Sequence, residues 1–298
     1  ITNSLFQVLL AKRMGKKSLI CKSGAGQHYS ATAAVAAKFG MPLIGVMGEV
    51  DIARVNQNII KAKHYGAKLK AVPGTLKEAI TDAIKTWTTN PDFAYICGSV
   101  VSSHPFPKIV AFAQSIIGRE IREQSLEQEG KLPDMIVGCV GGGSNFAGAI
   151  YDFLDEPSVS KIGVEASETA ALSNGTPGIM QGMKTYMLQT DDGAKSLGGM
   201  SLGAGITYFS VGPMHSYLKD QKAVSYSSAT DQEMLDAYKM IAQTEGICSA
   251  LEPMAGAAEI IFRQAKDKPK DYIICLSLCG RGEKDLDTIQ EHIGKDFE

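Results

Sequence analysis

No apolar run in the 298 residues approaches membrane-spanning length, and no secretory signal opens the chain. Both absences lead us to expect a protein of the cytoplasm or, in a eukaryote, of the plastid stroma, with no membrane as partner. Charge of one sign is lacking too. The 30 Lys and Arg nearly balance the 32 Asp and Glu, for a net charge of -2, which leaves no electrostatic footprint for nucleic acid. The short basic cluster Lys12-Arg13-Met14-Gly15-Lys16-Lys17 fits a solvated helix end. There is no Cys-x-x-Cys pair among Cys21, Cys97, Cys139, Cys248, Cys275 and Cys279. They read as reduced, mostly buried thiols of a cytosolic or organelle-matrix protein. Internal repeats and low-complexity tracts are absent. An initiator Met is also missing before Ile1, as expected of a processed product, a fragment or an incomplete gene model.

What is present is an alternation of short apolar runs with helical patterns. Strands are expected at 18–21, 42–47, 68–72, 93–97, 135–140, 161–166, 223–227 and 271–279. Helices are expected at 4–14, 30–39, 51–65, 75–88, 108–128, 146–154, 231–244, 252–265 and 283–293. Asp51 is a candidate cap of the third helix, and Thr75 with Glu78 fits a capping box. The stretch 175–213, rich in Gly, Ser and Thr, reads as mostly loop. Repeated strand–helix units imply right-handed crossovers and parallel sheets covered on both faces. The expected fold is therefore α/β, with two three-layer domains and mainly parallel sheets. The stretch Ser102-Ser103-His104-Pro105-Phe106-Pro107 interrupts the alternation, which suggests a boundary near 102–115, and we place the domains at 1–110 and 111–298.

Four stretches behave like site loops, which in open parallel sheets lie at the carboxyl ends of strands, where ligands bind. Val140-Gly141-Gly142-Gly143-Ser144-Asn145 turns from a strand into a helix. Its backbone N–H groups, aided by the helix N-terminus, suit a phosphate. It lacks the Lys-Ser/Thr ending of a P-loop and the Gly-x-Gly-x-x-Gly spacing of a dinucleotide site. Ser23-Gly24-Ala25-Gly26-Gln27-His28 is a second strand-to-helix turn, suited to a carboxylate. Leu251-Glu252-Pro253 opens a helix with a carboxylate, and Cys279-Gly280-Arg281-Gly282-Glu283-Lys284-Asp285 follows the last strand.

Further stretches are Leu10 to Lys16, Gly98-Ser99-Val100-Val101, Gly182-Met183-Lys184-Thr185-Tyr186, Val211-Gly212-Pro213 and Thr244-Glu245-Gly246. Together, over essentially the whole chain, these segments resemble the tryptophan synthase β chain. The resemblance implies the second large fold type of pyridoxal-phosphate enzymes and a reaction in which indole replaces the hydroxyl of L-serine. It assigns the cofactor phosphate to Gly141, Gly142, Gly143, Ser144 and Asn145, and the amino-acid carboxylate to Ser23, Gly24, Ala25, Gly26, Gln27 and His28. Glu252 would lie near the cofactor ring and Cys279 would face its pyridine nitrogen. The carboxylate loop would belong to a mobile part of the first domain. A monovalent cation would be held by backbone carbonyls at Gly141, Tyr208 and Ser210. The implied partners are a second β chain, forming a homodimer, and an α chain that makes indole and passes it through a tunnel.

The chain departs from that family at four places. The Schiff-base lysine would lie immediately before Ile1 and is absent, which would halt ordinary turnover. Lys22 stands where the family has a catalytic glutamate. It could take over acid–base work only with a considerably lowered pKa, and it is a minor candidate for the Schiff-base lysine itself. Cys279 replaces a serine, with a weaker hydrogen-bonding group. Thr207 replaces an aspartate that recognises the bound amino acid, which would relax serine preference. These changes keep open a non-catalytic paralogue or another β-replacement enzyme or deaminase. Of the remaining candidates, His28 and His104 read as histidines that orient backbone, Arg281 and Asp285 as a local ion pair, and Met180, Met183 and Met187 as core.

Overall fold

The computed structural model describes residues 1–53 and 56–297. The chain divides into two units, Ile1–Gly98 and Ser99–Glu298. The break falls just ahead of the 102–115 stretch that the sequence suggests, because the loop Ser99–Val101 is tied to the second unit: Ser99 Oγ donates to Gly142 O.

In the first unit α1 (Thr2–Arg13), β1 (Ser18–Lys22), α2 (Gln27–Lys38), β2 (Leu43–Gly48), α3 (Glu49–Ile52), α4 (Asn56–His64), β3 (Lys68–Val72), α5 (Leu76–Thr88) and β4 (Phe93–Ile96) follow one another. The strands form one parallel sheet in the order β3-β2-β1-β4. Alternation sends Leu19 and Cys21 of β1 to one face. There they pack against Val8 of α1, Tyr29 and Ala33 of α2 and Ile59 of α4. α5 covers the other face with Ala79, Ile80 and Ala83 buried. The capping box at its start is formed: Thr75 N donates to Glu78 Oε2 at 2.8 Å. The helix expected over 51–65 is two helices, and residues 54 and 55 of it lie outside the described residues. Asp51 lies inside α3, whose N-cap is Gly48, and so does not cap.

The second unit continues with α6 (Phe106–Gln114), α7 (Ile116–Glu129), β5 (Met135–Cys139), α8 (Ser144–Ile150), β6 (Ser160–Ala166), α9 (Ala171–Asn174), β7 (Thr176–Met180), β8 (Met183–Met187), α10 (Gly212–Asp220), β9 (Ser225–Ala229), α11 (Asp231–Glu245), α12 (Met254–Glu259), β10 (Ile274–Leu276) and α13 (Leu286–Ile293). Its parallel sheet runs β10-β5-β6-β9. Met135, Val137 and Cys139 of β5 face α11, α12 and α13. Ile136 faces the opposite layer, which includes Phe146 and Ile150 of α8. Each sheet thus lies between helical layers.

Three departures from the expected elements have local causes. The helix expected over 108–128 breaks at Ser115, whose N–H and hydroxyl both turn back to Phe112 O, a tighter turn than the α-helical one. The stretch 175–213 holds an antiparallel hairpin of β7 and β8. Gln181 and Gly182 both take positive φ, 47° and 79°, which gives the two-residue turn whose twist suits a hairpin. Met180, Met183 and Met187 are buried there with Val101 and Phe209, as core residues. The expected strand 271–279 keeps only three residues in β10. Among the described residues no helix is long and apolar enough to cross a membrane.

Candidate functional site

In the second unit the run β5–α8 builds the phosphate-type loop. Gly143 is the N-cap of α8, with φ 72° and no side-chain cap, so the first-turn N–H groups are left for another acceptor. The carbonyls beside it are held from behind. Ser99 Oγ donates to Gly142 O at 3.2 Å, and His215 Nε2 meets Gly143 O at 2.9 Å. In a trans peptide the C=O and the following N–H point in opposite directions. Tying these two carbonyls back therefore aims the N–H groups of Gly143 and Ser144 away from Ser99 and His215, into the mouth of the loop. The approach is too close for any side chain. A Cβ at Gly142 would lie 2.4 Å from Ser99 Oγ, and one at Gly143 would lie 2.2 Å from His215 Nε2. Asn145 Oδ1 accepts from Gln114 Nε2 at 3.3 Å.

His215 is fully buried. A carbonyl accepts only, so Nε2 carries the proton, and Tyr226 OH donates to Nδ1 at 2.9 Å. Burial pushes its pKa down to about 4, against the pull of the Gly143 carbonyl. The imidazole is therefore a fixed, neutral strut under the loop. Nearby Glu165, also buried, caps α9 by accepting from Leu172 N and Ser173 N. Burial raises its carboxyl to about 7.

The other expected residues of this unit gather at the same end of the sheet. A Cβ at Gly141 would lie 2.5 Å from Ile206 Cα, which seats the loop on the turn that leads to Tyr208 and Ser210. That turn is held in place because Gly205 N donates to Glu252 Oε1 at 2.7 Å. Glu252 is buried, and its Oε2 lies 2.8 Å from Lys284 Nζ. Lys284 also pairs with Asp285, at 2.6 Å, and Asp285 Oδ2 accepts from Leu251 N at 2.8 Å. Burial works against the Lys284 ammonium, yet Glu252 and Asp285 together raise its pKa. Asp285 thus pairs with its neighbour Lys284, where the sequence pattern pointed to Arg281. Cys279 Sγ lies 3.5 Å from Cys139 Sγ, at the end of β5. Gly141, Glu252 and Cys279 are therefore brought together. Thr207 is not aimed outward: its hydroxyl bonds Gly203 O at 3.2 Å and Ser201 O at 3.3 Å within its own turn.

In the first unit Ser23–His28 links β1 to α2. Gly26 is the N-cap of α2 with φ 73° and again no side-chain cap. Ser23 N–H is already taken by Val46 O at 3.2 Å. The donors left by this ladder belong to Gly24 and the residues after it. Asn58 of α4, buried, holds the loop from below by donating to Ala25 O at 2.8 Å. His28 Nε2 bonds Ile96 O at 2.9 Å, and burial lowers its pKa to about 4. The structure thus gives it the backbone-orienting contact expected. Lys22 precedes the loop, is 6% exposed, and no described residue takes its ammonium in a hydrogen bond or ion pair. Burial lowers its pKa, with Cys97 and Cys21 acting against the shift.

Sequence reading missed the roles of Ser99, His215, Asn58 and Lys284. Ser99 and Lys284 stood in stretches singled out beforehand, though not for these contacts. His215 and Asn58 act over long separations, such as the 72 residues between His215 and Gly143, and no local pattern marks them.

Residues 2–280 match the family described as pyridoxal-phosphate-dependent enzyme. The tryptophan synthase β chain of Dinoroseobacter shibae is 44% identical over all of this chain and 75% of its own length. That of Allorhizobium ampelinum is 45% identical over 99% of this chain and 75% of its own. Among solved structures, a lysine-to-alanine mutant of O-ureido-L-serine synthase, bound to O-ureido-L-serine, covers 98% of this chain and 82% of its own with a TM-score of 0.72. At 19% identity this likeness is one of fold.

Proposed function

Because the chain belongs to the pyridoxal-phosphate-dependent enzymes, as a lyase of the tryptophan synthase β type, we propose that it condenses L-serine with indole to L-tryptophan and water. The cofactor of this family is pyridoxal phosphate, which supplies an electron sink for exchanging the β substituent of an amino acid. The residues present fit it. The uncapped α8 N-terminus and the outward N–H groups of Gly143 and Ser144 suit a phosphate. These tied-back carbonyls are the observation that most supports the reading. Gly141, Gly142, Ser144 and Asn145 complete the cradle, and Glu252 and Cys279 stand beside it for the ring. In the first unit, Gly24 to His28 would orient the amino-acid carboxylate, helped by the Ser23 hydroxyl. Gly141, Tyr208 and Ser210 are the proposed carbonyl donors to a monovalent cation.

Lys22 is the proposed acid–base residue. An exposed lysine stays protonated at neutral pH, but burial favours the neutral amine. That is the condition on which a lysine could do the work of a glutamate. The reading requires the cofactor-bearing lysine at the position just before Ile1. We further infer a β homodimer, with an α chain as the source of indole.

The test is product analysis with pyridoxal phosphate, L-serine and indole, run on the chain extended by that lysine ahead of Ile1. Tryptophan supports the reading. Pyruvate alone would make the chain a deaminase, a reading that the self-satisfied hydroxyl of Thr207 favours, since it leaves the amino acid without that contact. Neither product, with cofactor bound, would point to a non-catalytic paralogue.

A further inference from the structure

We propose that Cys139 and Cys279 form a redox-responsive dithiol site, which takes a peroxide or a small disulfide as oxidant and closes to a disulfide beside the Gly141–Asn145 loop. The two sulfurs lie 3.5 Å apart, so bond formation at about 2.05 Å needs a movement of roughly 1.5 Å. Both side chains belong to the face of the β10-β5-β6-β9 sheet that packs on α11, α12 and α13. Cys275, one turn of the pleat away, packs on the opposite face, so it cannot compete for either partner. Cys248 is exposed, and no hydrogen bond links its sulfur to the pair.

The two thiols are unequal, as a pair of this kind needs. Cys139 is 8% exposed at the end of β5, whereas Cys279 is only half-buried. The backbone can follow. Cys279 lies beyond the last ladder residue of β10, in a segment curled by the Leu278 N→Leu276 O and Cys279 N→Ser277 O bonds. Gly280 behind it takes φ 79°. The hydrogen bond with Cys279, and then burial, hold the Cys139 thiol well above its ordinary pKa, and its lesser exposure suits it to resolve rather than attack.

With a peroxide, Cys279 thiolate attacks one oxygen and the O–O bond breaks. This gives the sulfenic acid and hydroxide, which takes a proton to become water. Cys139 then attacks the Cys279 sulfur, and its proton leaves with the hydroxyl as a second water. Two thiols lose two electrons and two protons, and the peroxide is reduced. With a small disulfide, thiolate exchange gives a mixed disulfide on Cys279, and Cys139 displaces the small thiol. The consequence for the cofactor rests on the proposed placement of Cys279 against the ring. A disulfide sulfur has no proton to share and shifts the strand end behind the phosphate loop.

The test treats the reduced full chain with hydrogen peroxide or oxidised glutathione, blocks free thiols, and maps the digest by mass spectrometry. The expected result is a Cys139–Cys279 linked peptide pair, reversed by dithiothreitol and absent from Cys139→Ser. Cys279 recovered as sulfinic acid or stable mixed disulfide, with Cys139 still free, would overturn the proposal. Absorbance titration with pyridoxal phosphate is then compared between reduced and oxidised chain. Oxidation of the wild type is expected to weaken binding about tenfold, the equivalent of one hydrogen bond, and dithiothreitol to restore it. If the link forms and affinity is unchanged, the dithiol stands and the placement of Cys279 against the ring fails.

Discussion

The loops after β1 and β5 are built on one plan and held in two ways. Each runs from the carboxyl end of a parallel strand into a helix whose N-cap is a left-handed glycine, Gly26 or Gly143, with no side-chain cap. Under the loop after β5, two side chains grip successive carbonyls and fix the direction of the N–H groups. Under the loop after β1, Asn58 grips the Ala25 carbonyl, and the loop opens beside the buried Lys22. On the proposed function, the first would hold an anion that stays through every cycle and the second a substrate that comes and goes.

Replacing the two N-cap glycines should separate the loops most. Either alanine meets the left-handed penalty of about 1–2 kcal/mol. At Gly143 the new Cβ would also lie 2.2 Å from the buried His215 ring, against 2.8 Å from Asn58 Cβ at Gly26. With overpacking of about 1–3 kcal/mol added, Gly143→Ala should lose about 4 kcal/mol in urea unfolding and most of its cofactor affinity. Gly26→Ala should lose less and bind pyridoxal phosphate nearly as well as the wild type. Equal loss of cofactor affinity would erase the distinction.

Acid should act differently on the two units. His215 holds its folded pKa near 4 against about 6.5 unfolded. The unfolded chain then binds more protons between these values, and stability is lost as pH falls through them. Glu165 is the reverse: its folded pKa near 7 exceeds an unfolded value of about 4.3, so stability is lost as pH rises through that window. Each amounts to roughly 3 kcal/mol, and in the second unit they nearly cancel from pH 4.5 to 6.5. The first unit has His28, lowered like His215. Hydrogen exchange read across pH 4.5–7 should show the first unit weakening in acid and the second almost level. In Glu165→Gln the second unit should weaken in acid, and in His215→Phe it should strengthen. The same slope in both variants would sink the account.

Removing the Asn58 anchor of the first loop tests the comparison from the other side. Asn58→Leu leaves Ala25 O without its side-chain donor, at about 1–3 kcal/mol. Urea unfolding should record that loss while absorbance titration with pyridoxal phosphate stays unchanged.

How far this architecture is legible in the sequence follows from separation along the chain. The phosphate loop shows itself because strand, glycines and helix are contiguous. Its grips do not, since Ser99 and His215 lie 43 and 72 residues from the carbonyls they hold. The β7–β8 hairpin escaped because its turn is Gln181-Gly182 rather than the Asn-Gly or Asp-Gly that marks such turns. Asp51 misled because a good capping residue type fell inside the short helix α3, just past the chain turn at Gly48. Lys22 was visible as an anomaly of charge, but its lowered pKa is a property of burial that only the fold supplies.

The smallest effect is the most local and provides the control. Each unit starts a helix with a Thr-x-x-Glu capping box, Thr75 with Glu78 and Thr230 with Glu233. In both, the threonine N–H donates to the glutamate at 2.8 Å. The motif is the same, so the physics should be: Thr75→Ala and Thr230→Ala should each lose about 1 kcal/mol, read by hydrogen exchange at the start of α5 and of α11. Neither cap hydrogen-bonds a glycine loop, so cofactor binding should not change in either variant. Equal losses here, beside unequal effects of Gly26→Ala and Gly143→Ala, would place the difference between the units in what grips the loops rather than in the stability of the units themselves.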